Sequence, residues 1–436
     1  MTRIESIDHE GRGVAHVDGK AVFVEGALPG EEIIHSSYKK KPRVEYANIS
    51  KMIRESPFRA EPKCVNFGTC GGCSMQHFQA SAQVAAKQRI LEDALWHIGR
   101  VRPGLILPAI HGPYWHYRRR ARLSVKYVEK KGRVLVGFNE RKTRYVTDME
   151  SCEVLTEKIS GLIPRLKEMI GNLSVKSRLP QIEVASSEGK DVLVFRILDR
   201  LTVDDEAIIR AFSEAHDVHV HLQPGGIDSI HPFHPESAGE LYYALPEFGI
   251  KMPFRPMDFT QVNFSINRVL VRRAVHLLSP SADERIADLF CGLGNFTLAL
   301  ARHCKEVVGI EGSASLVQRA KENAERNNIS NANFLDVDLF EMNESKLESL
   351  GHFDKMLLDP PRAGAFEFVQ ALGKNRPSRI VYVSCDPATL ARDAGILVDS
   401  KGYELKSAGV INMFPHTSHV ESIALFELPQ GKNPIA

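Results

Sequence analysis

The sequence predicts an α/β protein: a mostly parallel, doubly wound sheet in its C-terminal part, preceded by a small β-barrel and an α+β middle region. Three observations carry this. From about residue 258, short apolar runs alternate with helical stretches, the pattern of a parallel sheet covered on both faces. Residues 1–55 instead read as short strands broken by turn residues, and residues 117–250 mix both patterns. A chain of 436 residues suits two to three such units.

Along the chain, 14–24 forms two short strands around Asp18-Gly19, a strong hairpin signal. A Pro-Gly turn at 29–30 and the basic run Lys39-Lys-Lys-Pro-Arg43 follow. Together they predict a small barrel of the kind often used on RNA. A cysteine-rich loop spans 62–75, and the alanine-rich stretch 79–98 reads as one helix. The middle region holds strands at 134–138, 182–185, 192–197 and 218–222 and a helical stretch at 156–170. Loops fall at Gly225-Gly226 and at 231–235. In the C-terminal region the predicted strands are 285–290, 306–310, 333–335, 355–358, 379–384, 404–412 and 422–427, with helices including 313–327 and 387–400.

Hydrophobic residues make up 43% and charged residues 25%, as in an ordinary soluble protein. No apolar run is long enough to span a bilayer, and the N-terminus has no signal-peptide core. The expectation is a cytoplasmic protein without membrane partners, in which structural disulfides are unexpected. The net charge of +2 conceals a basic segment. Residues 114–145 contain eleven Lys/Arg against two acids, interleaved with Tyr114, Trp115, Tyr117, Tyr127, Phe138 and Tyr145. Cations neutralise phosphates and aromatic rings stack on unpaired bases, so this segment predicts nucleic-acid contact. A solvated charged hairpin is the plainer alternative, although such faces normally mix both signs.

The first C-terminal strand ends in Asp288-Leu-Phe-Cys-Gly292-Leu-Gly294-Asn-Phe-Thr297. Glycines directly after a strand let a ligand approach the backbone. A dinucleotide fingerprint would need a third glycine where Thr297 stands. Glu311 after the second strand is placed to accept from ribose hydroxyls. Asp338 follows the third strand, and Asp359-Pro-Pro-Arg362 closes the fourth. This ordered set resembles a class I S-adenosylmethionine methyltransferase. Cys385, in Ser-Cys385-Asp-Pro at the end of the fifth strand, is either a small buried hydrophobe or a nucleophile facing the bound ligand. His416, His419 and Glu421 compete as bases in Met413-Phe-Pro-His-Thr-Ser-His-Val-Glu421. Cys64-x5-Cys70-x2-Cys73, with Cys152, offers four thiolates, and the spacing alone leaves zinc and an iron–sulfur cluster both open.

Ser-Cys385-Asp-Pro, Phe259-Thr-Gln261-Val-Asn263 and the Glu421 segment together resemble the RNA uracil-C5 methyltransferases. The resemblance implies Cys385 as the nucleophile that adds to uracil C6 and Glu421 as the base that removes the C5 proton. It implies Gln261, Phe290, Asn295, Glu311, Asp338 and Asp359 as S-adenosylmethionine contacts. It implies a [4Fe–4S] cluster on Cys64, Cys70, Cys73 and Cys152, and a TRAM (OB-like) barrel over residues 1–57, the combination found in members that act on 23S rRNA. The expected organisation is a barrel (1–57), a central iron–sulfur domain (58–257) and a methyltransferase domain (258–436), acting as a monomer. Other readings are a tRNA uracil-C5 methyltransferase and a non-catalytic RNA-binding or ribosome-assembly factor. Asp386 departs from the family, where many members have Asn.

Overall fold

The structure, a computed structural model, describes residues 1–237, 239–373 and 376–429. The N-terminal strands β1 (Thr2–Arg3), β2 (Ser6–Ile7), β3 (Gly13–Val17), β4 (Lys20–Glu25), β5 (Glu32–Lys40) and β6 (Val44–Arg54) form one sheet in the order β1-β5-β6-β4-β3-β2. Asp18 and Gly19 turn β3 into β4 with φ of 49° and 76°. That conformation is the hairpin turn their types favour. Ile4, Ala15, Val22, Val24, Ile33 and Ala47 fill the interior of this sheet. The chain leaves it through a buried ion pair, in which Arg59 Nε and Nη2 donate to the two oxygens of Glu31 at 2.6 and 2.8 Å.

Helix α1 (Ala80–His97) and the short strand β7 (Leu105–Ile106) come next in sequence. In space they belong to the C-terminal sheet. The middle sheet then forms from β8 (Arg120–Val128), β9 (Arg133–Gly137), β10 (Gln181–Ser186), β11 (Asp191–Arg196), β12 (His219–Gln223) and β13 (His231–His234), in the order β13-β12-β11-β10-β8-β9. Helices α2 (Glu157–Gly171) and α3 (Val203–His216) share one hydrophobic cluster with it. Helix α3 starts at a capping box, Thr202 accepting from the Asp205 N–H and Asp205 accepting from the Thr202 N–H. The hairpin β14 (Leu241–Leu245)–β15 (Ile250–Phe254) leads into helix α4 (Phe264–Leu278).

The C-terminal sheet contains β16 (Arg285–Leu289), β17 (Glu306–Glu311), β18 (Ala332–Asp336), β19 (Lys355–Leu358), β20 (Arg379–Ser384), β21 (Glu404–Ile411) and β22 (Glu421–Glu427), with β7 at its edge, in the order β18-β17-β16-β19-β20-β22-β21-β7. The first five are parallel, and β22 is antiparallel to both β20 and β21. The strands are buried on both faces, and successive residues serve opposite sides. Ile286 and Leu357 join the cluster on one side, whereas Ala287, Met356 and Leu358 join the other. Helices α4, α5 (Thr297–Ala301) and α6 (Ala314–Arg326) cover the first face. Helices α1, α7 (Glu344–Ser349), α8 (Phe366–Ala371) and α9 (Pro387–Gly395) cover the second. The sheet is the doubly wound one expected, with an antiparallel closing edge. A Cβ at Gly309 in β17 would stand 2.7 Å from the Phe334 ring and 2.9 Å from Cys291 Sγ, so only glycine fits there.

Candidate active site

The carboxyl ends of β16, β17, β19 and β20 meet at one edge of the sheet, where ligands bind in open α/β folds. The turn after β16 is tight: Phe290, Gly292 and Gly294 have φ of 63°, 55° and 89°. Gly292 N–H donates to Glu311 Oε2 at 3.1 Å, which ties the glycine turn to the end of β17. Burial raises the Glu311 carboxyl, with the backbone N–H groups of Gly292, Gly312 and Ser313 pulling it back. Asp338 lies exposed and accepts from Phe340 N–H at 2.9 Å. Asp359 and Gln261 are half-buried, and burial lifts the Asp359 carboxyl to about 7.

Two side chains at the glycine turn and the start of α5 are engaged within the protein. The Asn295 carboxamide is already engaged: Oδ1 accepts from Tyr243 OH and Asn267 Nδ2, each at 2.9 Å, and Nδ2 donates to Asn267 Oδ1 at 3.0 Å. Its side chain therefore ties the glycine turn to α4 and to the β14–β15 hairpin. Thr297, standing where a dinucleotide fingerprint has glycine, donates to Asp288 Oδ2. Asp288 is fully buried, burial lifts it to about 7, and its Oδ1 has no partner among the described residues. Sequence reading did not single out Asp288, although an acid inside an apolar strand one residue before its end was the available signal.

Cys385 follows β20 directly and is half-buried. Ser384, the residue before Cys385, pairs with Ser422, the residue after Glu421, so the β20–β22 ladder brings Cys385 and Glu421 to the same end of the two strands, within electrostatic reach of each other. The thiol is pushed up to about 11 by burial, by Glu421 and by Asp359, with Arg362 opposing. Glu421 is 6% exposed and its Oε2 has no partner among the described residues. Burial lifts it to about 8, Asp359 adding to the rise and Lys87 opposing it. Asp386 is the N-cap of α9, its Oδ1 accepting from Ala388 N–H at 2.8 Å and Thr389 N–H at 3.3 Å. Asn and Asp cap equally well, which accounts for aspartate here in place of the family's asparagine.

Both histidines are otherwise occupied. His416, at φ of 64°, stacks on Trp115 with ring centroids 3.7 Å apart, and its Nδ1 lies 3.2 Å from Gln83 Nε2. Burial drives it down to about 4, helped by Lys87. His419 Nδ1 sits 3.0 Å from Arg362 Nη2, and burial followed by that guanidinium lowers it. Neutral rings held this way are poor proton acceptors beside Glu421.

The basic segment divides into an inner and an outer set. Tyr117 is buried and donates to the Pro415 carbonyl at 2.9 Å, and Trp115 supports His416. Arg119 donates to the Ser187 carbonyl at 2.9 Å, and Arg120 to that of Asp258. Lys142 pairs with Glu25 of the barrel at 2.7 Å. Lys126, Lys130, Lys131 and Arg144 remain exposed.

All four cysteines of the predicted metal set are free thiols. Burial pushes Cys73 up to about 12, and Cys152, Cys70 and Cys64 add to that rise, so the four lie within electrostatic reach of one another. Gly71 N–H donates to the Asn139 carbonyl at 2.9 Å, seating the loop on the chain after β9. Among the described residues no three His, Cys, Asp or Glu side chains are drawn in tightly enough to hold a single metal ion. Ser74 and Met75 N–H groups donate to the His416 carbonyl at 2.9 and 3.0 Å, joining the cysteine loop to the segment before Glu421. Cys291 and Cys304 are buried packing residues of the C-terminal sheet. No described helix is long and apolar enough to cross a membrane.

A glycine turn, acids at successive strand ends and a doubly wound sheet define the class as an S-adenosylmethionine methyltransferase fold. Comparison with known proteins narrows it. A family model described as tRNA (uracil-5-)-methyltransferase matches residues 79–428, and a TRAM domain model matches residues 3–33. A Nitrosospira multiformis protein named 23S rRNA (uracil(1939)-C(5))-methyltransferase RlmD is 56% identical, covering 97% of both chains. A Thiobacillus denitrificans protein of the same name is 59% identical over 97% of this chain and 98% of its own. The crystal structure of Pyrococcus abyssi tRNA (uracil-54, C5)-methyltransferase with S-adenosyl-L-homocysteine superposes with a TM-score of 0.74 at 25% identity, covering 98% of this chain and all of that one. The chain belongs to the tRNA (uracil-5-)-methyltransferase family and carries a TRAM domain at its N-terminus.

Proposed function

We propose that the protein methylates C5 of one uracil in 23S rRNA, in the cytoplasm, with S-adenosylmethionine as donor. The observation that carries the chemistry is that Cys385 and Glu421 flank the last pair of the β20–β22 ladder, Ser384–Ser422, and act on each other's charge at the strand ends that frame the glycine turn. The near-full-length likeness to proteins named for uracil 1939 of 23S rRNA supports the choice of substrate.

Uracil C5 is a weak nucleophile. Addition of the Cys385 thiolate to C6 moves electron density to C5, forming a covalent enzyme–RNA adduct. S-adenosylmethionine, when bound, supplies an electrophilic methyl group. Once C5 carries the methyl, Glu421 accepts the C5 proton, the freed pair forms the C5–C6 double bond, and the C6–S bond breaks to return the thiolate. An acid whose proton leaves near pH 8 suits this role. The donor set fits the methyl donor: Glu311 for ribose hydroxyls, Asp338 for the adenine side, the half-buried Phe290 ring as a wall, Asp359 and Gln261 facing the reacting groups, and the Asn295 backbone beside the glycine turn. The target base must leave its stack to reach the thiol.

The proposed organisation is barrel 1–57, central domain 58–257 and methyltransferase domain 258–436, with α1 and β7 docked on the last. The barrel and the exposed Lys126, Lys130, Lys131 and Arg144 form the RNA face. Methyl transfer to full-length 23S rRNA and to bulk tRNA, each lacking the modification, tests the reading. Transfer to the 23S rRNA alone is expected; transfer to tRNA alone would move the enzyme to the tRNA branch.

We also infer that Cys64, Cys70, Cys73 and Cys152 hold a [4Fe–4S] cluster. Four unpaired thiols, three of them on a glycine-rich loop and three acting together to raise Cys73, suit a multi-iron centre, whose ligands stand farther apart than those of one ion. When bound, the cluster supplies a cross-link between the 64–73 loop and Cys152. Anaerobically prepared protein is expected to show iron and broad visible absorption, and Cys73→Ser to lose both. Equal iron and absorption in the variant would overturn the assignment.

A further inference from the structure

Lys87 has no part in the reaction as described, yet its ammonium is buried beside the group that takes the proton. It is 1% exposed and lies on the inner face of α1 with Gln83, Leu91 and Leu95. Its Nζ donates to Asn412 Oδ1 at 2.8 Å and to the Phe414 carbonyl at 2.9 Å. Both acceptors are neutral and lie just beyond Ile411, the residue of β21 that pairs with Glu421. A neutral amide would serve as a tie at that place. A buried ammonium bonded only to neutral oxygens is costly unless a charge nearby offsets it. The carboxylate that acts on Lys87 is Glu421, whose Oε2 is unpartnered among the described residues.

We propose that Lys87 is a positioning residue for proton abstraction: its ammonium is the counter-charge that favours the ionised form of Glu421, and its two hydrogen bonds fix the strand end against which Glu421 is paired. The proposal rests on Glu421 being the base. Lys87 makes no bond to the substrate. The proton passes from C5 to a Glu421 oxygen, the C–H electron pair becomes the C5–C6 double bond, and the C6–S pair returns to Cys385.

The charges around Glu421 come from three elements. Asp359, after β19, raises it; Lys87, from α1, lowers it; and Cys385, after β20, is itself raised by Glu421. His416 and His419 face Lys87 from the loop before β22, and Arg362 faces Cys385 and His419. Burial works against the charge on both members of the pair, raising Glu421 to about 8 and lowering Lys87 to about 7, and each charge opposes the shift of the other, so the ammonium acts on Glu421 at neutral pH and below. Removing the ammonium leaves Asp359 unopposed, so Glu421 keeps its proton to higher pH. Glu421 raises the Cys385 thiol through its charge, so a Glu421 that keeps its proton raises it less, and thiolate addition is not weakened.

The test uses the full-length enzyme and cognate RNA carrying tritium at uracil C5. Tritium release reports proton loss, and adduct yield with 5-fluorouracil RNA reports thiolate addition and methyl transfer. In Lys87→Met the release profile should move about one pH unit alkaline, lowering release at neutral pH up to about tenfold, with adduct formation not reduced. Lys87→Gln, which keeps a donor without the charge, should show the same shift, and decides the matter if Lys87→Met fails to fold. Lys87→Arg, whose guanidinium stays charged, should hold the profile at or below its native position. An unmoved profile in the neutral variants, or a parallel fall of adduct formation and release, would overturn the proposal. Absence of tritium release from the unsubstituted enzyme would instead overturn the uracil-C5 reading itself.

Discussion

Cys385→Ala is expected to abolish both methyl transfer and covalent capture of RNA. The reason is that C5 gains its nucleophilicity only through the C6–S bond, and the other thiol near these strand ends among the described residues, Cys291 of the glycine turn, offers no substitute. Cys291 is buried in the core, and the 64–73 set lies on a different loop. Removing a covalent nucleophile costs on the order of 10⁴-fold or more in turnover. Because the Cys385 thiol is half-buried and packs no large cavity, thermal stability should change little. With 5-fluorouracil RNA and S-adenosylmethionine, the native protein should yield an adduct that survives denaturing electrophoresis, since fluorine cannot leave as a proton. Cys385→Ala should yield none. Retention of the adduct would place the nucleophile elsewhere, and an absent adduct in the native protein would favour a non-catalytic RNA-binding role.

Glu421→Gln should separate the two halves of the reaction. Addition and methylation proceed, but the proton at C5 has no acceptor, so methylated adduct accumulates on natural RNA. Loss of a general base slows turnover by roughly 10²–10⁴-fold. The pH dependence gives a second signature. Because burial holds Glu421 protonated up to about 8, the native rate should rise as pH increases towards that value. At lower pH the carboxyl keeps its proton, and each unit below costs about tenfold in the ionised fraction. The variant should lose the part of that rise that belongs to Glu421 and keep only the part from ionisation of the Cys385 thiol, which burial pushes up to about 11. Normal turnover in Glu421→Gln would pass the role to His416, His419 or a water molecule.

The C-terminal sheet was legible in the sequence because a buried parallel strand writes a continuous apolar run, and its end coincides with the first polar residue. The strands at 355–358 and 379–384 have the expected bounds for that reason. The Asp18-Gly19 hairpin was legible because its turn demands residues that tolerate positive φ. The hairpin 241–254 and the start of α4 were not assigned, since their apolar residues fit either period and the burial that decides between them comes from the C-terminal sheet. Cys385 and Glu421 were singled out through motifs, but their meeting at one end of the ladder depends on the register of β20 and β22, which no local pattern contains. Trp115 and Tyr117 read as base-stacking aromatics because they sit among arginines; the partners that occupy them, His416 and Pro415, are some three hundred residues away. Lys87 did leave a trace, a lysine in step with Gln83, Leu91 and Leu95 on the apolar face of a helix.

The C-terminal sheet takes its last strand, β7, and one covering helix, α1, from residues made long before it. A ribosome therefore delivers β7 and α1 first, and they wait through the whole middle region for the sheet they complete. Until β21 emerges, Leu91 and Leu95 lack their apolar seat, and in any fragment beginning at 258 the β21 edge stands open as a template for another chain. The part that performs the chemistry thus matures last and only as a whole molecule. A partial product that ends soon after Cys385 would carry Lys87 but lack β21, β22 and Glu421, so partial translation yields no enzyme loose on RNA.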